Sequence, residues 1–234
     1  LEVMGRHAGW IASSGGLAQK SKDDPPHIIL FPEIPFNLDR FSEKVRKTVE
    51  KCGFCSIIVS EGVRQENGDF LTNSKSTDAF GHAQLGGVAP MIAELIEKKL
   101  KLKNHWATAD YLQRSARHIC SKTDIDQAEA VGRHAVELAL KGKTSVMTTI
   151  ERITNQPYTW GLGSIDLKKV ANREKMLPAD YISTDGFGIT EKCREYLSPL
   201  IEGEAYPEYQ KGIPKYTKLR KILASKKIDD DFPV

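Results

Sequence analysis

Two continuous apolar runs punctuate the first sixty residues, and each reads as a strand covered on both faces. The first, His27-Ile28-Ile29-Leu30-Phe31, is ended by Pro32; the second, Cys55-Ser56-Ile57-Ile58-Val59, runs up to Ser60-Glu61. Such runs mark strands of a parallel sheet, where neither face meets water. Between them Phe41, Val45 and Val49 recur at i, i+4 and i+8, one face of a helix over residues 38–52. Asn37 is placed to cap its start and Gly53 to end it. Strand, helix and strand of these lengths make a βαβ unit. Ahead of it, residues 2–12 read as a strand end, a tight glycine turn and the first turns of a helix. That helix, over 8–20, is built of small residues suited to close packing.

Downstream the pattern is more polar. Residues 64–77 contain Asn67-Gly68 and predict a surface loop or hairpin. A helix is expected over 86–101 with Met91, Leu95 and Ile96 inward and a lysine-rich end that suits a helix C-terminus. A strand is expected over 106–113 and a helix over 124–141 with Ala128, Val131, Ala135, Leu138 and Ala139 inward. A further strand is expected over 145–153. Beyond Asn155 the elements are shorter: 165–170, 176–182 and 190–201, the last helical, then a polar segment over 205–212. Asp229-Asp230-Asp231 reads as a solvated terminus. The expected fold is α/β, a Rossmann-like, mostly parallel sheet flanked by helices. Its domains would be an α/β domain over residues 1–153 and a carboxyl-terminal extension over 154–234 that folds back on it.

Composition narrows the partners. Net charge is +3, from 34 basic and 31 acidic residues, which gives no global case for nucleic acid. No apolar run approaches the ~20 residues of a membrane span, and no signal-peptide pattern is present, so a cytoplasmic protein is expected. Of four cysteines, Cys52-Gly53-Phe54-Cys55 has CxxC spacing but no second Cys/His pair to complete a zinc site. The pair follows a helix into a strand, the wrong end for a redox motif. Buried structural thiols in a reducing compartment are expected.

Candidate chemistry concentrates at Met4-Gly5-Arg6. Gly5 lets the backbone approach a ligand closely. The helix start presents unpaired N–H groups to an anion, and Arg6 adds a forked cation suited to phosphate oxygens. Glu61 stands just past a strand's carboxyl end, where ligands sit in such sheets, and can accept hydrogen bonds from hydroxyls. His7 is expected to support the turn, and His82, among glycines, to be structural. No ordered Asp/His/Glu set suggests a metal site.

The run Glu2-Val3-Met4-Gly5-Arg6-His7-Ala8-Gly9-Trp10-Ile11-Ala12 resembles the sugar-phosphate-binding signature of the phosphofructokinases. Further motifs follow in the family's order: Val59-Ser60-Glu61-Gly62, Asp78-Ala79-Phe80-Gly81-His82 and Tyr111-Leu112-Gln113-Arg114. The ending Leu197-Ser198-Pro199-Leu200-Ile201-Glu202-Gly203-Glu204 is similar to that of the bacterial pyrophosphate-using branch. The resemblance implies that Met4, Gly5 and Arg6 contact fructose 6-phosphate and that Glu61 takes its hydroxyls. It also implies that Tyr111 and Arg114 line the hexose-phosphate site. Tyr111 stands where many relatives have His, and Asp110 where they usually have Gly, which leaves the local turn open. Lys103 and His105 are the candidates for a cation that, in the family, reaches the 6-phosphate across a subunit interface. A homo-oligomer, dimer or tetramer, is therefore implied.

The family's Gly-Gly-Asp-Gly donor loop and its Thr-Ile-Asp-Asn-Asp segment, which carries the catalytic base, do not occur here. The chain thus resembles the carboxyl half of a 6-phosphofructokinase, with no catalytic residue or metal site of its own. The implied reaction moves a phosphoryl group to the 1-hydroxyl of fructose 6-phosphate, with Mg2+ riding on the donor. Residues 80–87, Tyr111 and the 197–204 ending favour pyrophosphate over ATP. Two alternatives stay open: an ATP-dependent phosphofructokinase, and a non-catalytic phosphofructokinase-like binding or regulatory subunit.

Overall fold

The computed structural model describes residues 1–72 and 87–225. Its parallel sheet has three strands, β1 (Glu2–Val3), β2 (Ile28–Leu30) and β3 (Ile57–Ser60), in the order β1-β3-β2. Strand β2 is buried on both faces. Ile28 and Leu30 join Phe41, Val45, Val59, Ile92 and Ile96 in one cluster. Ile29 and Phe31 join Val3, Ala12, Leu177 and Ile182 in the other. That double burial is the physical origin of the unbroken apolar run. Helices α2 (Leu38–Cys52) and α3 (Val88–Leu100) cover the first face, and α1 (Trp10–Ser14) lies against the second. Helix α2 has its expected bounds: Asn37 Oδ1 accepts from Arg40 N at 3.0 Å, and Gly53, at φ 80, closes the last turn.

Helix α1 is shorter than the expected 8–20. Residues before Trp10 are spent on the turn, and a 3-10 turn over Gly15–Ala18 replaces the rest. A Cβ on Gly15 would stand 2.1 Å from Ile58 Cδ1 of β3 and one on Gly16 2.7 Å from Ile189 Cδ1, so the two glycines let this turn pack closely against its neighbours.

The strand expected over 106–113 is reduced to one parallel bridge, Thr108 to Glu2. Strand β1 is only two residues long, so the ladder offers nothing further to join. Asp110 then turns the chain at φ 43 into helix α4 (Leu112–Ser115). Helix α5 (Lys122–Leu140) exists, but its buried face is not the expected one: Ala128, Ala135 and Ala139 are exposed, while Val131 and Leu138 are half-buried. The helix rests on the antiparallel hairpin of β4 (Val146–Asn155) and β5 (Tyr158–Asp166), where buried Gln127 donates to the Tyr158 hydroxyl at 2.7 Å.

Strand β5 itself was not legible as a strand. Gly161 and Gly163 interrupt its alternation; the exposed Glu151 side chain lies over Gly163, with Oε1 1.9 Å from where a Cβ would stand. The expected 165–170 element is the end of β5 followed by helix α6 (Leu167–Val170). Residues 176–182 hold a 3-10 turn over Ala179–Tyr181 between buried Leu177 and Ile182. Residues 190–201 are helical as expected: α7 (Glu191–Leu197), then a 3-10 turn over Ser198–Ile201. The 205–212 segment contributes β6 (Tyr209–Gln210), paired with β7 (Ile213–Pro214). The β4–β5 hairpin spans the residue 153/154 position drawn as a domain boundary.

Residues 73–77 of the expected loop, the Asp78-Ala79-Phe80-Gly81-His82 motif with His82, and Asp229-Asp230-Asp231 lie outside the described residues. Among the described residues no helix is long and apolar enough to cross a membrane.

All four cysteines are free. Cys193 is buried, whereas Cys52, Cys55 and Cys120 are half-buried rather than buried as expected. The CxxC thiols sit where helix α2 hands over to β3, at the edge of the core. Burial pushes the Cys55 thiol up to about 12, with the neighbouring Cys52 adding to the effect. An acid whose pKa is raised stays protonated, so Cys55 holds no thiolate at neutral pH. Mass-mapped iodoacetamide labelling of the native protein at pH 7.5 is expected to modify Cys55 last of the three half-buried cysteines. Labelling of Cys55 first would contradict this.

Candidate functional site

Two loops interlock at the carboxyl ends of β1 and β3. Gly5 sits at φ 146, a conformation open to glycine, and a Cβ there would stand 2.8 Å from Ala8 O and 2.9 Å from Ser60 Oγ. Buried Ser60 donates its hydroxyl to Gly5 O at 2.6 Å and accepts from Gly62 N at 3.4 Å. Gly5 N donates to Glu61 Oε1 at 3.0 Å. Glu61 N in turn donates to Val3 O at 3.0 Å, which carries the β1–β3 ladder into the loops. A Cβ on Gly62 would stand 1.9 Å from Arg6 O. The backbone that presents Arg6 therefore lies against Gly62 with no room for a side chain between the two loops.

A third segment closes the side of this turn. Gln113 Oε1 accepts from Met4 N at 3.4 Å, and Gln113 Nε2 donates to Asp110 O at 2.9 Å. The left-handed turn at Asp110 is a glycine-like conformation that Asp tolerates better than most residues. It starts α4, where Tyr111 is exposed and Arg114 lies 5.8 Å over the Tyr111 ring. Met4, Glu61, Thr108 and Asp110 line a cleft of about 140 Å3, with Glu2 at its base.

The structure thus brings Met4, Gly5, Arg6 and Glu61 together and sets Tyr111 and Arg114 on the adjoining segment. One oxygen of Glu61 is already committed to Gly5 N. The remaining lone pairs, chiefly those of Oε2, are what a hydroxyl would meet. Helix α1 has five residues, too short for the anion-binding helix start that the sequence suggested.

Lys103 and His105 are not part of this cleft. Glu2 pairs with Thr108 in parallel, so His105 lies three residues, about 10 Å, back towards the amino end of β1. Both line a different and larger cavity of about 460 Å3 between α2 and α3, beside exposed Trp106. Its walls between the helices are apolar, from Val45, Val49, Ile92 and Ile96, and its polar groups gather at the 103–105 segment.

Sequence reasoning missed Glu2 as a site residue. Its carboxylate is 2% exposed and accepts from Gly87 N at 3.2 Å and Ala89 N at 2.8 Å. It caps helix α3, whose own N-cap, Gly87, has no side chain to do so. The one available signal was an acidic residue in an otherwise apolar strand. His7 supports the turn as expected: its ring stacks on Phe70 at 5.9 Å and it pairs with Glu174.

The phosphofructokinase family model matches residues 1–139. A pyrophosphate–fructose 6-phosphate 1-phosphotransferase of Halomonas elongata is 56% identical over 98% of the chain and 55% of that relative. One from Methylococcus capsulatus is 54% identical over 100% of the chain and 56% of its own length. The crystal structure of a pyrophosphate-dependent phosphofructokinase from Marinobacter aquaeolei superposes with a TM-score of 0.85 at 48% identity, over 100% of this chain and 55% of that one. The chain spans about half the length of these relatives, and it belongs to the phosphofructokinase family.

Proposed function

We propose that this chain is the fructose 6-phosphate-binding half of a pyrophosphate-dependent 6-phosphofructokinase. The observation that carries this reading is the interlock of the Gly5–Arg6 turn with Glu61 and Gly62, which fixes the backbone from which Arg6 projects beside the Glu61 carboxylate. The names of the relatives, pyrophosphate–fructose 6-phosphate 1-phosphotransferases, supply the donor and acceptor.

In this reading Arg6 and Arg114 neutralise the 6-phosphate through charge-assisted hydrogen bonds. Tyr111 offers a hydroxyl donor, and Met4 borders the sugar. Glu61 accepts from a sugar hydroxyl, which fixes the ring so that the 1-hydroxyl points at the donor. Phosphoryl transfer relies on positioning and charge stabilisation more than on covalent chemistry by the protein. The base that takes the 1-hydroxyl proton is assigned to residues outside this chain. Mg2+ enters on the pyrophosphate, since this ion prefers phosphate oxygens and water to an all-protein cage. The protein works in the cytoplasm as a homo-oligomer.

The test is an assay of the full-length protein with both donors in both directions. Pyrophosphate-driven formation of fructose 1,6-bisphosphate, with ready reversal from bisphosphate and phosphate, is expected. ATP-driven turnover without pyrophosphate activity or reversal would overturn the donor assignment.

Lys103 and His105 face away from their own cleft, so any contact with the sugar phosphate is made in a neighbouring subunit. Neutralising both is expected to weaken fructose 6-phosphate binding while sedimentation shows an unchanged oligomer mass. Unchanged binding would remove both residues from the site.

A further inference from the structure

The turn that carries Arg6 is also held by a segment from the carboxyl-terminal region. Residues 174–177 lie beyond the 1–139 range of the family match, yet they touch two of the four residues that follow Arg6 and share a hydrogen-bond acceptor with a third. Glu174 pairs with His7 Nδ1. The Lys175 carbonyl accepts from Trp10 Nε1 at 2.7 Å, and the Lys175 ammonium lies 5.4 Å over the Trp10 ring. Leu177 N and Gly9 N both donate to the same oxygen, Glu33 Oε1, each at 2.9 Å. Leu177 is 3% exposed and anchors the segment in the Val3–Phe31 cluster.

Glu33 is the hub of this arrangement. It follows Phe31-Pro32 at the end of β2, so it ties the strap to the sheet as well as to the turn. Its second oxygen is enclosed and has no hydrogen-bond partner among the described residues. A Cβ on Gly9 would stand 2.8 Å from that oxygen, so the carboxylate fits only because residue 9 has no side chain. Burying half a carboxylate without a partner is costly, and the structure bears that cost where Glu33 joins strap, strand and turn. On the near side, Gly5 is fixed by Ser60 and Glu61. Arg6 is therefore suspended between two clamped residues, Gly5 and His7.

We propose that the 174–177 strap, acting through Glu174 and Glu33, sets the position of Arg6 for the 6-phosphate, so that Glu174 and Glu33 are positioning residues for sugar-phosphate binding. The inference rests on the proposed role of Arg6 and gives the carboxyl-terminal region a function in that same site. Glu174 is half exposed and its pair with His7 stands at the surface, so removing it spares the fold. It frees the turn to sample other geometries, and a misplaced guanidinium loses its paired contact with phosphate oxygens.

The test is a double-mutant cycle in the full-length protein, read as the KM for fructose 6-phosphate against the KM for the donor, with thermal midpoints recorded. Glu174→Ala is expected to raise the KM for fructose 6-phosphate by about threefold to tenfold, leaving the donor KM and the midpoint unchanged. Glu33→Ala should raise it further, and Glu33→Gln, which keeps an oxygen for Gly9 N and Leu177 N, should restore most of the loss. In an Arg6→Ala background the Glu174→Ala effect should vanish, because the strap acts through Arg6. An equal Glu174→Ala factor in both backgrounds, or no factor in either, overturns the inference. If Arg6→Ala itself leaves fructose 6-phosphate kinetics unchanged, the proposed site fails and the strap's role fails with it.

Discussion

Replacing Arg6 by alanine should raise the KM for fructose 6-phosphate about tenfold to a hundredfold and leave the KM for the phosphoryl donor within about twofold. A charge-assisted contact to phosphate is worth roughly 1.5–3 kcal/mol, and the expected factor is that energy converted to an equilibrium constant. Arg114→Ala should behave in the same way, since the 111–114 segment is bonded to the turn through Gln113 and Met4. Arg6→Lys is not a rescue: a point charge on a flexible stem cannot reproduce two parallel N–H donors. Initial-rate kinetics with each substrate varied in turn would measure these effects. Equal effects on both substrates would show that Arg6 serves the fold or the donor rather than the sugar phosphate.

The second large effect is expected from a methyl group. Gly62→Ala would put its Cβ 1.9 Å from Arg6 O and 2.4 Å from Gly5 O. Both are backbone atoms, so no rotamer change relieves the clash and the loops must part. Overpacking of this kind costs about 1–3 kcal/mol of stability. That corresponds to a fall in melting temperature of several degrees in a domain of this size. The parting moves the Arg6 carbonyl away from Gly62, so the KM for fructose 6-phosphate should rise at least about tenfold. Gly132→Ala is the control: no atom lies within 4 Å of its Cβ position, and the residue is inside helix α5. That change should stabilise the protein by up to about 1 kcal/mol without touching kinetics. A Gly62→Ala protein with native melting and native kinetics would show that the two loops do not interlock.

How much of this was legible depended on the range of the interaction. Strands β2 and β3 announced themselves because burial on both faces leaves no polar position to interrupt them. Helix α2 was legible at both ends because Asn37 and Gly53 act within one turn of it. The Gly5 turn was legible as a tight glycine turn between a strand and a helix, because glycine alone accepts its φ of 146; the ligand expected there came from the resemblance, not from residue spacing.

Long-range features were hidden. Glu2 and Glu33 accept from backbone N–H groups that lie 85 and 144 residues away in the chain, at Gly87 and Leu177. No local pattern marks such a carboxylate. The orientation of α5 was misread because its support is the β4–β5 hairpin rather than the parallel sheet, and β5 was itself masked by Gly161 and Gly163. The strand predicted around Thr108 failed because a two-residue β1 offers almost no ladder, a limit that appears only once the strands are paired.

The central claim is that fructose 6-phosphate is held at the interlocked loops. It is tested most directly by titrating the sugar phosphate into the purified 234-residue chain and following backbone amide shifts by NMR. Weak, saturable shifts are expected at Gly5, Arg6, Glu61 and residues 111–114. Fructose without its phosphate should fail to produce them, and the Arg6→Ala chain should lose them. Shifts confined to the larger cavity at Lys103 and Trp106, or shifts at the turn that survive Arg6→Ala, would contradict the account.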